Sequence, residues 1–123
     1  IRFENGFTWT LRSMTNCNSE RVIYLITCPC GLRYVGMTTR KIKVRILEHR
    51  SNIRCKRCTT KMLTHFDEVG HGPNDLRWIV LEQSPVVPNL EQSLLRKEQR
   101  WVFRLCTDSK GLNDHIPWNQ LVR

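Results

Sequence analysis

From Val22 to Thr38 the chain reads VIYLITCPCGLRYVGMT, and no other stretch restricts the fold as strongly. Val22 to Cys28 is dense in β-branched and aromatic residues, which suit a pleated, half-buried surface. Pro29 and Gly31 interrupt it, and Leu32 to Val35 supplies a short partner strand. The spacing predicts an antiparallel hairpin that turns at Cys28-Pro29-Cys30-Gly31, with Tyr24 opposite Tyr34 and Ile26 opposite Leu32. Opposed residues share a sheet face, so both phenols are expected on the same side. A slip of one residue would separate them.

Thr38 and Thr39 are candidate N-caps for a helix from about Lys41 to Ile53. A shorter helix covers Thr60 to Val69, after which Gly70, Gly72 and Pro73 break the chain. Leu76 to Leu81 (LRWIVL) reads as a strand. Pro85 and Pro88 mark a loop before the longest helix, Leu90 to Leu105. Phe7 to Leu11 (FTWTL) alternates and reads as a short strand in an N-terminal extension, residues 1–16. The tail holds a turn at Lys110-Gly111 and a late Trp118. This order predicts a single α/β (α+β) domain over residues 1–123, with an antiparallel or mixed sheet. Ile1 in place of Met leads to the expectation that the chain is a piece of a longer polyprotein.

Two helices carry polar residues on their apolar faces. At ~100° per residue, Leu94, Leu95, Trp101, Val102 and Leu105 form one stripe. Glu98 falls inside it, while Arg96, Lys97, Arg100 and Arg104 lie outside. A carboxylate aimed at a core is costly unless paired or bound to metal. A salt bridge at the rim is the plain alternative to a functional acid. In the first helix, Ile42, Ile46 and Ile53 define the buried side, with His49 among them and Arg45 at the edge. Arg45 and His49 stand i,i+4 and stack on one face. A guanidinium matches phosphate oxygens through two parallel bonds. Two phenols, an arginine, a histidine and a carboxylate are thus expected on one sheet face. That set suits metal-assisted phosphodiester hydrolysis.

The charge points the same way. The formal net charge is +9, and ten of the twenty Lys and Arg residues lie between Arg33 and Lys61, opposed there only by Glu48. Such a balance favours a polyanion, nucleic acid before membrane. Arg33, Arg40, Lys41, Lys43, Arg50 and Arg54 are the candidate DNA contacts. No apolar run approaches a membrane span.

The six cysteines admit two readings. In a secreted chain they suggest disulfides; beside paired histidines they suggest metal. Cys28 and Cys30 can ligate one ion but cannot easily bridge each other. His65 and His71 could complete a tetrahedral Zn²⁺ site. Cys55-Lys-Arg-Cys58 is a competing pair, stronger by spacing alone. Cys17 and Cys106 have no evident partner.

The segments CPCGLRYVGMTTR, EHRSNI, HFDEVGH, LRWIVLE, RKEQRWVFRL and GLN, in that order, resemble a GIY-YIG endonuclease domain of the Penelope-like retroelement type. Val22-Ile23-Tyr24 stands in the GIY position and Tyr34-Val35-Gly36 in the YIG position. The resemblance runs from about Phe7 to Trp118. Val22 replaces Gly and Val35 replaces Ile. Eight residues separate Gly36 from Arg45, one more than in many relatives, and the Penelope-like pattern has the same extra residue.

The resemblance implies a small central antiparallel sheet flanked by helices, with a zinc-stapled hairpin. It implies a DNA endonuclease using one divalent ion, Mg²⁺ or Mn²⁺, held by Glu98. Tyr24 would activate or position the attacking water, Tyr34 and His49 would assist proton transfer, and Arg45 would stabilise charge on the phosphate. Asn113 matches a polar active-site residue, against a plainer role as an αL turn residue after Gly111. The structural Zn²⁺ would sit on Cys28, Cys30, His65 and His71. The nick would leave a 3′-hydroxyl that primes reverse transcription by a reverse transcriptase domain of the same polyprotein, in the nucleus. A zinc-stabilised DNA-binding module that no longer cuts is the alternative, and a secreted disulfide protein a third.

Overall fold

The computed structural model describes residues 15–114, so the FTWTL segment and Trp118 lie outside it. The elements run β1 (Val22–Thr27), β2 (Arg33–Thr38), α1 (Ile42–Arg54), α2 (Lys61–Glu68), a single 3₁₀ turn (Pro73–Asp75), β3 (Arg77–Gln83) and α3 (Leu90–Leu105). The sheet is wholly antiparallel in the order β2-β1-β3.

The hairpin forms with a different register from the expected one. Tyr24 faces Gly36, and Ile26 faces Tyr34. Cys28 N–H donates to Leu32 O at 3.0 Å, which encloses a three-residue loop, Pro29-Cys30-Gly31. Gly31 takes φ 83°, the left-handed position that a three-residue hairpin loop reserves for glycine. The pairing therefore slides by two residues. A two-residue shift keeps strand parity, so Tyr24 and Tyr34 still share a face.

Central β1 is buried on both sides. Val22, Tyr24 and Ile26 pack with Ile42, Ile46 and Ile53 of α1 and with Met62, Leu63 and Phe66 of α2. Ile23 and Leu25, with Val35 and Leu81, pack against Leu94, Trp101 and Val102 of α3. This explains why VIYLI is apolar without alternation, as a strand covered on both faces must be. The expected stripe on α3 is largely real, although Leu95 and Leu105 are only half-buried.

Helix α1 is not capped by Thr38 or Thr39. Its N-cap is Lys41, which makes no side-chain cap bond. Thr38 ends β2, and its hydroxyl accepts from Arg40 N–H at 3.1 Å. Ile42 and Lys43 N–H groups donate instead to the carbonyls of Ser19 and Cys17, at 2.9 and 3.0 Å. Distant backbone thus satisfies first-turn donors that a threonine would otherwise take. Helix α2 does use Thr60, whose hydroxyl accepts from Leu63 N–H. No helix among the described residues is long and apolar enough to cross a membrane.

Candidate functional site

Tyr24 organises the site from beneath. It lies opposite Gly36, and a Cβ at Gly36 would collide with Cζ and Oη of its ring. The ring therefore lies across β2, and a glycine within that strand is what admits it. Tyr24 Oη and His49 Nε2 are 2.7 Å apart. The Arg45 guanidinium lies close enough for its charge to act on the Tyr24 phenol. Tyr24, Tyr34 and His49 form a triangle of rings, with centroid separations of 6.4, 5.8 and 5.6 Å. The longer spacing between Gly36 and Arg45 does not turn α1 away: both helix residues reach the phenol.

Burial sets the protonation states. His49 is buried, and desolvation, helped by the Arg45 charge, lowers its pKa to about 4. Its imidazole is neutral near pH 7. Burial, with Tyr34 alongside, holds the Tyr24 phenol well above its ordinary value. Tyr24 is 0% exposed, whereas Tyr34 is half-buried. Burial raises the pKa of the Tyr34 phenol as well, so both phenols stay protonated near pH 7.

Glu98 joins the group from the opposite layer. Helix α3 packs on the far face of the sheet from α1. An acid on that helix can approach the phenols only from beyond β2, the edge strand at that side of the sheet. Its charge acts on Tyr34 and Tyr24 and that of Arg45 acts on it, so the acid lies within electrostatic range of the group. The five side chains converge, but around a sheet edge rather than on one face. Burial raises the Glu98 pKa to about 7, with Arg45 pulling the other way. Among the described residues it makes no ion pair, so the rim salt bridge is not its role.

Asn113 is not an αL residue, and both ends of its amide are engaged by backbone. Its Oδ1 accepts from Val35 N–H at 2.7 Å and its Nδ2 donates to Val35 O at 2.8 Å. It caps the outer edge of β2 between Tyr34 and Gly36, so its effect on the site passes through the strand.

The expected DNA contacts divide. Arg40 is paired with Glu48 through two bonds of 2.6 and 3.1 Å. Arg50 is used on the backbone, donating from Nε to Pro73 O at 3.2 Å and from Nη2 to Leu76 O at 3.5 Å. These bonds tie α1 to the loop before β3. Lys41, Lys43 and Arg54 are exposed. At ~100° per residue, Lys41 lies on the flank of Arg45, whereas Lys43 and Arg54 lie roughly 160–180° round the helix. Arg33 is half-buried on β2, beside a cleft of about 380 Å³ also lined by Lys110 and Thr107.

A second cluster forms at the hairpin turn. One ligand atom each from Cys28, Cys30, His65 and His71 lies within 4.8 Å of the others. Cys28 Sγ is 3.5 Å from His65 Nε2, and Cys30 Sγ is 3.2 Å from His71 Nε2. Tetrahedral Zn²⁺ would hold sulfur and nitrogen ligands roughly 3.5 Å apart. The donor set and its spacing therefore fit zinc. The wide separation of the two histidines has a local explanation. His71 N–H donates to Phe66 O and Gly70 N–H to Asp67 O, with Gly70 at φ 75°, a Schellman turn that folds the chain back over α2. Cys55 and Cys58 are exposed and outside the cluster, Cys58 Sγ lying near Lys56 O and Asp67.

Two residues of consequence escaped the sequence reading. Gly36 carried a signal, as a glycine inside a strand. Glu48 carried a weaker one, as the lone acid of a basic stretch, three residues after Arg45.

No family profile and no curated protein matches the chain by sequence. Among solved structures, the chain is similar to the catalytic domain of homing endonuclease I-TevI, with a TM-score of 0.62 and 22% identity over 77% of this chain and 98% of that one. The likeness is one of fold. It matches the GIY-YIG architecture that the sequence resemblance implies.

Proposed function

We propose that this domain is a metal-dependent DNA endonuclease that cuts a phosphodiester bond at the edge of β2. One observation carries the reading: Tyr24, Tyr34, Arg45, His49 and Glu98, drawn from both layers of the fold, meet at one place. A protein that only binds DNA has no use for an unpaired acid there, since phosphate contacts need cations.

Tyr24 and Tyr34 together position the attacking water, Tyr34 being the partly exposed side chain of the two. As the water attacks phosphorus, its proton passes to the Tyr34–Tyr24 pair, and Tyr24 gives its own hydrogen to His49 Nε2. Meanwhile the P–O3′ bond breaks, and the departing oxygen takes a proton from solvent to become the 3′-hydroxyl. A neutral His49 suits that receiving role, because its lone pair is available at pH 7. Arg45 places a fixed positive charge where the phosphate gains negative charge. Glu98 is the residue that would hold Mg²⁺ or Mn²⁺, which would supply Lewis-acid stabilisation of charge on the phosphate. Zn²⁺ on Cys28, Cys30, His65 and His71 would be structural, a closed four-ligand site that fastens the hairpin turn to α2.

The finer proposal is that the nick leaves a 3′-hydroxyl that primes reverse transcription by a reverse transcriptase domain of the same polyprotein, in the nucleus. It rests on the Penelope-like segments of the sequence.

The test is nicking of supercoiled plasmid with Mg²⁺ by the wild-type chain, Glu98→Ala and Arg45→Ala. Conversion to open circle by the wild type and its loss in both variants is the expected result. Equal nicking by all three would remove the assignment. Tight DNA binding without nicking by any would favour the module that no longer cuts.

A further inference from the structure

Glu48 is engaged by two arginines that the proposed chemistry would need elsewhere. Its Oε1 accepts from Arg45 Nη1 at 3.2 Å, three residues earlier on α1. Arg40, just ahead of the helix, grips the same carboxylate with Nη2 on Oε1 at 2.6 Å and Nη1 on Oε2 at 3.1 Å. Glu48 is the only acid among the ten basic residues from Arg33 to Lys61. The carboxylate, held by the Arg40 fork and by one Arg45 nitrogen, presents two oxygens, as a phosphodiester presents its two non-bridging oxygens. The forks match either anion. The pairing is also open to exchange, since the side chains of Arg40 and Glu48 are 55% and 40% exposed. Exposed ion pairs of this kind are weak and give way readily to a competing anion.

We propose that Arg40 and Arg45 form a two-fork phosphodiester site, and that Glu48 fills it in the free protein as an internal competitor. The backbone of the substrate displaces the carboxylate before Arg45 can serve the reacting phosphate. This rests on the nuclease reading for its biological use, although the anion site itself can be measured without cleavage. The latch loosens binding of any single phosphate. It reserves full engagement for a duplex whose neighbouring phosphates are also held, and it favours release of the nicked product.

The full chain is titrated with a short DNA duplex without added Mg²⁺ and, separately, with inorganic pyrophosphate. The proteins compared are wild type, Glu48→Gln, Glu48→Asp and Glu91→Gln, the last removing an acid from the start of α3. Circular dichroism checks that each is folded. Glu48→Gln is expected to bind both probes roughly three- to tenfold more tightly, the scale of one or two exposed ion pairs that no longer have to break. Glu48→Asp keeps the charge but loses the reach that spans both forks, and is expected to tighten binding by a smaller factor. Glu91→Gln should match the wild type. Binding by Glu48→Asp indistinguishable from wild type, or equal tightening in Glu91→Gln, would reduce the effect to bulk charge and overturn the latch. If the Glu48 variants behave as expected while no protein nicks plasmid, the phosphodiester site stands and the nuclease reading is what fails.

Discussion

Tyr24 crosses its neighbouring strand over the Cα of Gly36, and that crossing lets its hydroxyl meet His49 at 2.7 Å. A glycine in the second tyrosine motif thereby makes room for the tyrosine of the first.

Gly36→Ala should damage the site and the fold together. The added methyl meets a fully buried ring with no space to retreat, an overpacking cost of about 1–3 kcal/mol. Chemical denaturation should show that loss, and plasmid nicking should fall further than the folded fraction does. Wild-type stability with wild-type nicking would mean that the ring does not lie there.

Glu98 should give the fold a pH dependence that a divalent ion reverses. Its folded pKa of about 7 exceeds the ordinary 4.5, so between those values the folded state keeps a proton that the unfolded chain has lost. Stability from this group therefore falls as pH rises through that window. His49 acts oppositely: its value of about 4 lies below the ordinary 6.5, so its contribution grows as pH rises from about 4 to 6.5. Without metal, Glu98→Gln should become more stable than wild type on going from about pH 5.5 to about pH 8. Mg²⁺ should raise the wild-type Tm more at the higher pH and leave Glu98→Gln unmoved. Parallel melting profiles for the two proteins would count against the buried acid.

Zinc should follow Cys30 and not Cys58. Purified Cys30→Ser and His71→Ala should lose bound metal and melt at lower temperature, and Cys58→Ser should keep both metal and stability. Loss of metal from Cys58→Ser alone would move the site to the Cys55–Cys58 pair.

Asn113→Ala should release the outer edge of β2. Two buried backbone groups of Val35 lose their partners, at a cost of about 1–3 kcal/mol. Hydrogen exchange should quicken at the Val35 amide while β1 and β3 stay protected. An unchanged exchange rate would show that the amide does not hold the strand.

Periodicity and turn chemistry made several features legible. The bounds of α3, the burial of Ile42, Ile46, His49 and Ile53 on one side of α1, and the shared face of the two tyrosines were all readable. The shared face survived even a wrong register, because a strand repeats every two residues and the error was two. Glu98 stood out because an acid within an apolar stripe violates the pattern that surrounds it.

What the sequence determined by itself was which side of each element is apolar, and which polar residues sit on the wrong side. Only the tertiary structure decided how those sides meet. It put α1 and α3 on opposite faces of the sheet, brought Glu98 within electrostatic range of the phenols, and sealed Tyr24 while leaving the Tyr34 residue partly exposed. It also spent Arg50 on carbonyls and Arg40 on Glu48. The physical reason is that periodicity reports the orientation of a side chain about its own helix or strand. Burial, pKa and choice of partner depend on the neighbours that packing places around it.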